Sequence, residues 1–162
     1  MKKNYQFLVV VSDFNATITQ SLLEACLKTL YNNGISKNEV EILNVPGAFE
    51  LPVVAGKAAR SVKWDAVICL GCVIKGETPH FEYVCSEAAR GLMTISIEVE
   101  KPIIFGVLTT STSEQALERA GLRDNSAEDP SGIKQQVHNK GNDAAQAALR
   151  TLAALEQIDS LR

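Results

Sequence analysis

Ala66-Val67-Ile68-Cys69-Leu70-Gly71-Cys72-Val73 runs directly into Ile74-Lys75-Gly76-Glu77-Thr78 and then Pro79-His80-Phe81. The first part is an unbroken apolar run of strand length, with no polar alternation. Such runs belong to strands buried on both faces, as in parallel sheets. The strand reads from Asp65 to Val73, and the turn after it leads into a helical pattern from Pro79 to about Glu98. Thr78 is placed to cap that helix and Pro79 to be its first residue.

The same unit recurs on either side. Phe7-Leu8-Val9-Val10-Val11 is a second doubly buried strand, followed by Ile18, Leu22, Leu23, Cys26, Leu27 and Leu30 at helical spacing across 16–33, with Gly34 as the stop. Val40 to Val45 is a third strand; Pro46-Gly47 breaks it, and a helix runs to about Ser61. Ile103 to Leu108 is the last strand, followed by a short helix from Ser113 to Ala120, closed by Gly121, and an Ala-rich helix over 142–158. Strand-helix alternation predicts right-handed crossovers and a four-stranded parallel sheet with helices on both faces. Ligands of such folds bind beyond the carboxyl ends of the strands. Those ends are Ser12–Asn15, Val45–Glu50, Val73–His80 and Thr109–Ser113. No internal repeat is present. Leu122 to Asn139 is polar, contains Pro130 and Gly132, and lacks apolar periodicity, so it reads as an exposed loop inserted at about 122–139 into a single domain of 1–162.

Composition agrees with one globular domain. The chain has 162 residues, 46% hydrophobic and 22% charged, enough to bury a core without staples. A net charge of -3 gives no reason to expect nucleic acid or an anionic membrane as partner. The apolar runs are too short to span a bilayer, and the one behind Met1-Lys2-Lys3 stops at Ser12-Asp13, too early for a signal peptide. Four cysteines in a chain that needs no disulfides fit a reducing cytoplasm.

Gly71 to Thr78 nearly repeats the spacing of a P-loop, but Glu77 stands where the lysine belongs, and a carboxylate there repels phosphates. The turn keeps its use even so, because backbone N–H groups at a helix start attract an anion with or without a lysine. His80 lies in the first turn of that helix. A helix N-terminus disfavours imidazolium, so His80 is placed to accept a proton. His138 has no such setting. Cys69 and Cys72 form a C-x-x-C, but in a strand residues three apart face opposite sides, so they read as core packing and not as a redox pair. Phe14 and Asn15 follow one strand, and Phe49 and Glu50 another. An aromatic face and a carboxylate there could hold a polar ring compound, and the residues alone leave open whether both phenylalanines merely pack locally. By position alone, Phe105 reads as core, Arg119 as a cation serving a helix C-terminus, and Lys140 as a loop lysine.

In this order, Ser12-Asp13-Phe14-Asn15, Pro46-Gly47-Ala48-Phe49-Glu50-Leu51-Pro52, Gly71 through Val84, Pro102 to Thr110, Arg119-Ala120-Gly121 and Asn139-Lys140-Gly141 resemble the lumazine synthase family nearly end to end. The resemblance implies a flavodoxin-like three-layer sandwich, a pentamer with active sites between neighbours, and no metal or cofactor. It implies condensation of 5-amino-6-ribitylaminouracil with 3,4-dihydroxy-2-butanone 4-phosphate to 6,7-dimethyl-8-ribityllumazine, the step before riboflavin, and it makes riboflavin synthase a candidate partner. Carried over, Phe14 stacks on the pyrimidine, while Ala48, Phe49 and Glu50 hold the ribityl chain. The backbone of Cys72, Val73 and Ile74 reads the uracil edge. Glu77 and Thr78 bind the sugar phosphate, and His80 moves protons. Phe105, Arg119 and Lys140 come from the adjacent subunit, Arg119 gripping the phosphate. The link from Leu122 to His138 is longer than the family's short turn. It leaves the position of Lys140 open and favours one pentamer, or two stacked, over a sixty-subunit shell. The sequence admits two rival readings. A nucleotide or phosphosugar enzyme rests on the P-loop-like turn alone. A non-catalytic lumazine- or flavin-binding homologue should lack His80, Arg119 or Lys140, and all three are present.

The glutamate at the lysine position carries a direct expectation. The purified protein should hydrolyse neither ATP nor GTP. Phosphate release that follows the protein through successive columns would restore the nucleotide reading.

Overall fold

The computed structural model describes residues 4–123 and 138–161. Its strands are β1 (Phe7–Ser12), β2 (Val40–Val45), β3 (Ala66–Ile74) and β4 (Ile103–Thr110). All pair in parallel, in the order β2-β1-β3-β4. The helices are α1 (Ala16–Asn32), α2 (Leu51–Ala59), α3 (His80–Val99), α4 (Ser113–Arg119) and α5 (Lys140–Ser160). Single 3-10 turns at Lys37–Glu39 and Ala48–Glu50 complete the chain order.

The two-residue period of a strand sorts the core into two layers. Phe7, Val9 and Val11 of β1 and Ile68, Leu70 and Cys72 of β3 pack with Leu22 of α1, Ala116 of α4 and Ala144, Ala145 and Ala148 of α5. Leu8, Val10, Val67 and Cys69 face the other way, against Leu51 and Ala55 of α2 and Leu92 of α3. The result is the expected flavodoxin-like three-layer α/β sandwich. Burial on both faces does not extend to β2, an edge strand whose Glu41 to Asn44 are all exposed. Among the described residues, no helix is long and apolar enough to cross a membrane.

One register detail shapes the site. β3 pairs with β1 only as far as Leu70, but with β4 as far as Ile74. Gly71 to Ile74 therefore have register partners on one side only, and their other backbone edge lies beyond the last pair with β1, at the carboxyl end of the sheet.

Segment 124–137 lies outside the described residues, and with it most of the loop read at 122–139. The ends of that loop meet at an antiparallel bridge between Ala120 and Asn139. The Asn139 amide donates to the Ala120 carbonyl at 2.6 Å, and its Oδ1 accepts from the Gly141 N–H at 2.8 Å, capping α5. Next to that cap, α5 comes so close to α1 that a Cβ on Gly141 would sit 2.0 Å from the Leu22 carbonyl oxygen. Gly141→Ala should therefore push the two helices apart. Overpacking costs typically 1–3 kcal/mol, so the melting temperature should fall by roughly 5 °C or more. An unchanged melt would mean that α5 does not seat against α1 as described.

Candidate functional site

The turns that leave β1, β2 and β3 at their carboxyl ends enclose a cavity of about 520 Å³. Phe14 stands on the first turn, 70% exposed, held by the Phe14 N–H donating to the Pro46 carbonyl at 3.1 Å. Gly47, Ala48, Phe49 and Glu50 form the second side. A Cβ on Gly47 would lie 3.1 Å from Glu50 Oε2, so the glycine leaves the carboxylate room to fold back beside it. Cys72, Val73 and Ile74, the singly paired end of β3, form the floor. Gly76, Thr78 and His80 close the remaining side, with Phe81 and Val84 from the next turn of α3.

The start of α3 differs from the sequence reading by one residue. His80 is the first helical residue and Pro79 the N-cap, with no side-chain cap. Thr78 is not the cap; it sits one residue earlier and lines the cavity. A proline at the N-cap lacks any side-chain oxygen, so the first N–H groups of the helix have no side-chain cap from that residue. Beside this turn Lys75 pairs with Glu82 at 3.0 Å. The Lys75 hydrogen bond holds the Glu82 carboxyl below its ordinary range. The Lys75 charge is thus spent on a carboxylate.

The cysteines behave as the strand geometry predicts. Cys69 and Cys72 belong to opposite core layers. Burial pushes the Cys69 thiol up to about 12 and the Cys72 thiol to about 11. Neither is a thiolate near neutral pH. Among the described residues, no three His, Cys, Asp or Glu side chains cluster closely enough to hold a metal ion.

Four of the residues singled out in the sequence do not line this cavity: Glu77, Phe105, Arg119 and Lys140. Glu77 is exposed on the turn. Phe105 corrects the core reading taken from its position alone: it is 43% exposed on the edge strand β4. Arg119 donates to the Gln115 carbonyl at 3.2 Å, one helical turn back, as a cation at a helix C-terminus does. Lys140 opens α5 and pairs with Asp143 at 2.8 Å. The cavity adds Gly47, Gly76, Phe81 and Val84, which were not singled out. Helical spacing from His80 was the available signal for Val84, which lies on the same face one turn later.

Fold and cavity together define a flavodoxin-like α/β protein with a small-molecule pocket at the carboxyl edge of its sheet. The family model for 6,7-dimethyl-8-ribityllumazine synthase matches residues 4–156, and the chain belongs to that family. A 6,7-dimethyl-8-ribityllumazine synthase of Protochlamydia amoebophila (strain UWE25) is 43% identical over 154 residues, covering 95% of this chain and 82% of that protein.

Lys140 is held within a small charged group. Asp143 Oδ2 also meets His138 Nε2 at 3.0 Å. Burial alone would raise the Asp143 carboxyl, but hydrogen bonds from Lys140 and His138, aided by their charges, outweigh it and hold the group below its ordinary range. A depressed carboxyl contributes stability above its unfolded pKa of about 3.9 and loses it as pH falls through the lower folded value. Asp143→Asn should therefore melt below the unmodified chain near neutral pH, and the gap should close as pH drops below about 4. Melts across that range test this; a gap of constant size would remove Asp143 as its source.

Proposed function

We propose that this chain condenses 5-amino-6-ribitylaminouracil with 3,4-dihydroxy-2-butanone 4-phosphate to 6,7-dimethyl-8-ribityllumazine, in sites shared between neighbouring subunits. The observation that carries this is the make-up of the cavity wall. Among the described residues it holds exposed aromatic faces, a singly paired strand edge, one carboxylate and one imidazole, but no lysine or arginine. Such a wall suits a flat polar ring with a hydroxylated chain. It is electrostatically incomplete for a phosphate, and the family assignment accounts for both properties.

In this reading Phe14 stacks on the pyrimidine, and the open edge of Cys72, Val73 and Ile74 hydrogen-bonds its ring amide groups. Ala48, Phe49 and Glu50 hold the ribityl chain, Glu50 accepting from its hydroxyls. The turn at Glu77 and Thr78 offers backbone N–H groups to the phosphate at the start of α3. Phe105, Arg119 and Lys140 come from a neighbour, Arg119 as the charge-assisted phosphate clamp. The primary amine of the uracil adds to the ketone carbon, giving a carbinolamine that loses water to an imine. Removal of the proton on the hydroxyl-bearing carbon next to the imine expels inorganic phosphate from the terminal carbon by C–O cleavage, and the resulting enol takes up a proton at that terminal carbon to become a methyl ketone. The ribityl-bearing nitrogen closes the ring on this new ketone, with loss of a second water. Each stage moves protons, and His80 is placed to relay them.

A ring of subunits closes such a head-to-tail interface, and five is the number the family resemblance favours. The long outer face of α3 supports an interface, because its only fully buried residues are Ala88 and Leu92 while Tyr83, Met93 and Ile97 are exposed. One pentamer or two stacked pentamers, in the cytoplasm, is the proposed state, with riboflavin synthase as a candidate partner.

Mixing the purified protein with both substrates and following the fluorescence of the lumazine tests the activity. His80→Ala should lower turnover by roughly 10²-fold or more without abolishing it, the usual weight of one acid–base group. Arg119→Ala should raise KM for the sugar phosphate far more than for the aminouracil. Because the two residues serve one site from different subunits, mixing the two impaired variants under subunit exchange should raise activity above that of either alone. Failure to complement in a verified mixed oligomer would place both residues in one subunit's site.

A further inference from the structure

Asn15 occupies the N-cap of α1, where an asparagine side chain ordinarily accepts from the second or third backbone N–H of its helix. Here it makes no such bond. Its amide Nδ2 donates instead to the carbonyl of Cys72, at 3.0 Å and 57 residues away. To do so the residue adopts φ 59° and ψ 46°, the left-handed region that a non-glycine residue enters only at a cost. Local stability would favour the ordinary cap. The chain therefore gives up a cap and accepts strain to reach the end of β3.

That carbonyl stands at a particular place. β1 stops pairing with β3 at Leu70, so beyond it the backbone edge of Cys72 to Ile74 has no strand on that side. The same turn is tied to the third strand as well: the Asp13 N–H donates to the Val45 carbonyl at 2.8 Å and the Phe14 N–H to the Pro46 carbonyl at 3.1 Å. Residues 13–15 thus brace the ends of β2 and β3 against each other across the mouth of the cavity.

We propose that Asn15 is a positioning residue for the ring substrate, fixing through the Cys72 carbonyl the strand edge of Val73 and Ile74 that reads the ring. The proposal rests on the ring-binding role given to that edge above. It does not place Asn15 in contact with substrate. Two substitutions separate positioning from folding. Asn15→Asp retains tolerance of the left-handed region and is free to cap α1, but sets a carboxylate against a carbonyl oxygen. Asn15→Gly takes up the backbone conformation without strain and lacks the amide.

Both variants should melt within a few degrees of the unmodified chain. Both should raise KM for the aminouracil by about threefold to tenfold, the range of one lost neutral hydrogen bond, while KM for the sugar phosphate stays near its starting value. Amide hydrogen exchange at Val73 and Ile74, measured without substrate, should quicken in both. Unchanged exchange overturns the brace. Quickened exchange with an unchanged KM overturns its role in substrate binding, and so does an equal rise in both Michaelis constants, which marks a general loosening. If the unmodified protein makes no lumazine, the proposed activity fails and the kinetic half of this proposal with it, while the exchange measurement still decides the brace.

Discussion

β1 carries six residues that solvent barely reaches, from Phe7 at 0% exposure to Val11 at 2%. Alternate side chains of such a strand need a helix layer on each side, so both layers are forced by this one segment. The chain leaves β1 for β2 on one side and returns to β3 on the other. The two crossovers therefore diverge at the carboxyl end of β1. That divergence opens a crevice between the turns, which is where ligands settle in open α/β sheets. The cavity bounded by Phe14, Ala48 and Cys72 to Ile74 lies at this divergence.

The basic residues singled out for the site are each engaged within the chain. Lys75, the basic residue on the turn itself, is paired with Glu82. Lys140 is paired with Asp143, and Arg119 is bonded to its own helix. Among the described residues, the wall keeps Glu50 and His80 as its ionisable groups apart from the buried Cys72 thiol. A phosphate drawn to the start of α3 would find backbone N–H groups but no side-chain cation in the same wall. Helix-terminus attraction alone is modest and screened by salt. In the proposed assembly, a second subunit bringing Arg119 would supply the missing charge and exclude water, which would strengthen the contacts within the site. Assembly and affinity for the phosphate are in this view one property.

The strands and the cavity floor were legible in the sequence because both follow from short-range chemistry. An apolar run such as Phe7 to Val11 has few alternatives to a doubly buried strand. Turn residues at the carboxyl ends of such strands are neighbours whatever the loop details. What was not legible depended on tertiary placement. Phe105 looks like core by its strand setting, but β4 is an edge strand with a neighbour on one side only, and the ring is exposed between the buried Ile103 and Val107. Thr78 and Pro79 carry the right residue types for a cap and a first turn, yet the helix begins one residue later, since capping chemistry fixes a helix start only to within a residue or two. The work of Asn15 was hidden for a similar reason. Its partner lies 57 residues away, and its residue type alone reads as an ordinary turn former.

The chemistry asked of the site matches what these residues can do. Cys72 is in the wall, but burial holds its thiol up to about 11, so it offers no thiolate. Among the described residues, no serine or threonine of the wall is hydrogen-bonded to His80 as a nucleophile would be, and Thr78 stands on a turn suited to binding a phosphate. A reaction whose substrate brings its own amine needs none of these. It needs two reactants held in one orientation, a path for protons, and a leaving phosphate already neutralised. Orientation alone can supply several kcal/mol of a bimolecular barrier when the reacting atoms are held close, about 7–11 kcal/mol at the upper end. Rigid strand ends give that orientation more cheaply than flexible loops. In the proposed reading, the bracing of the turn after β1 therefore belongs to the catalytic account as much as to the fold.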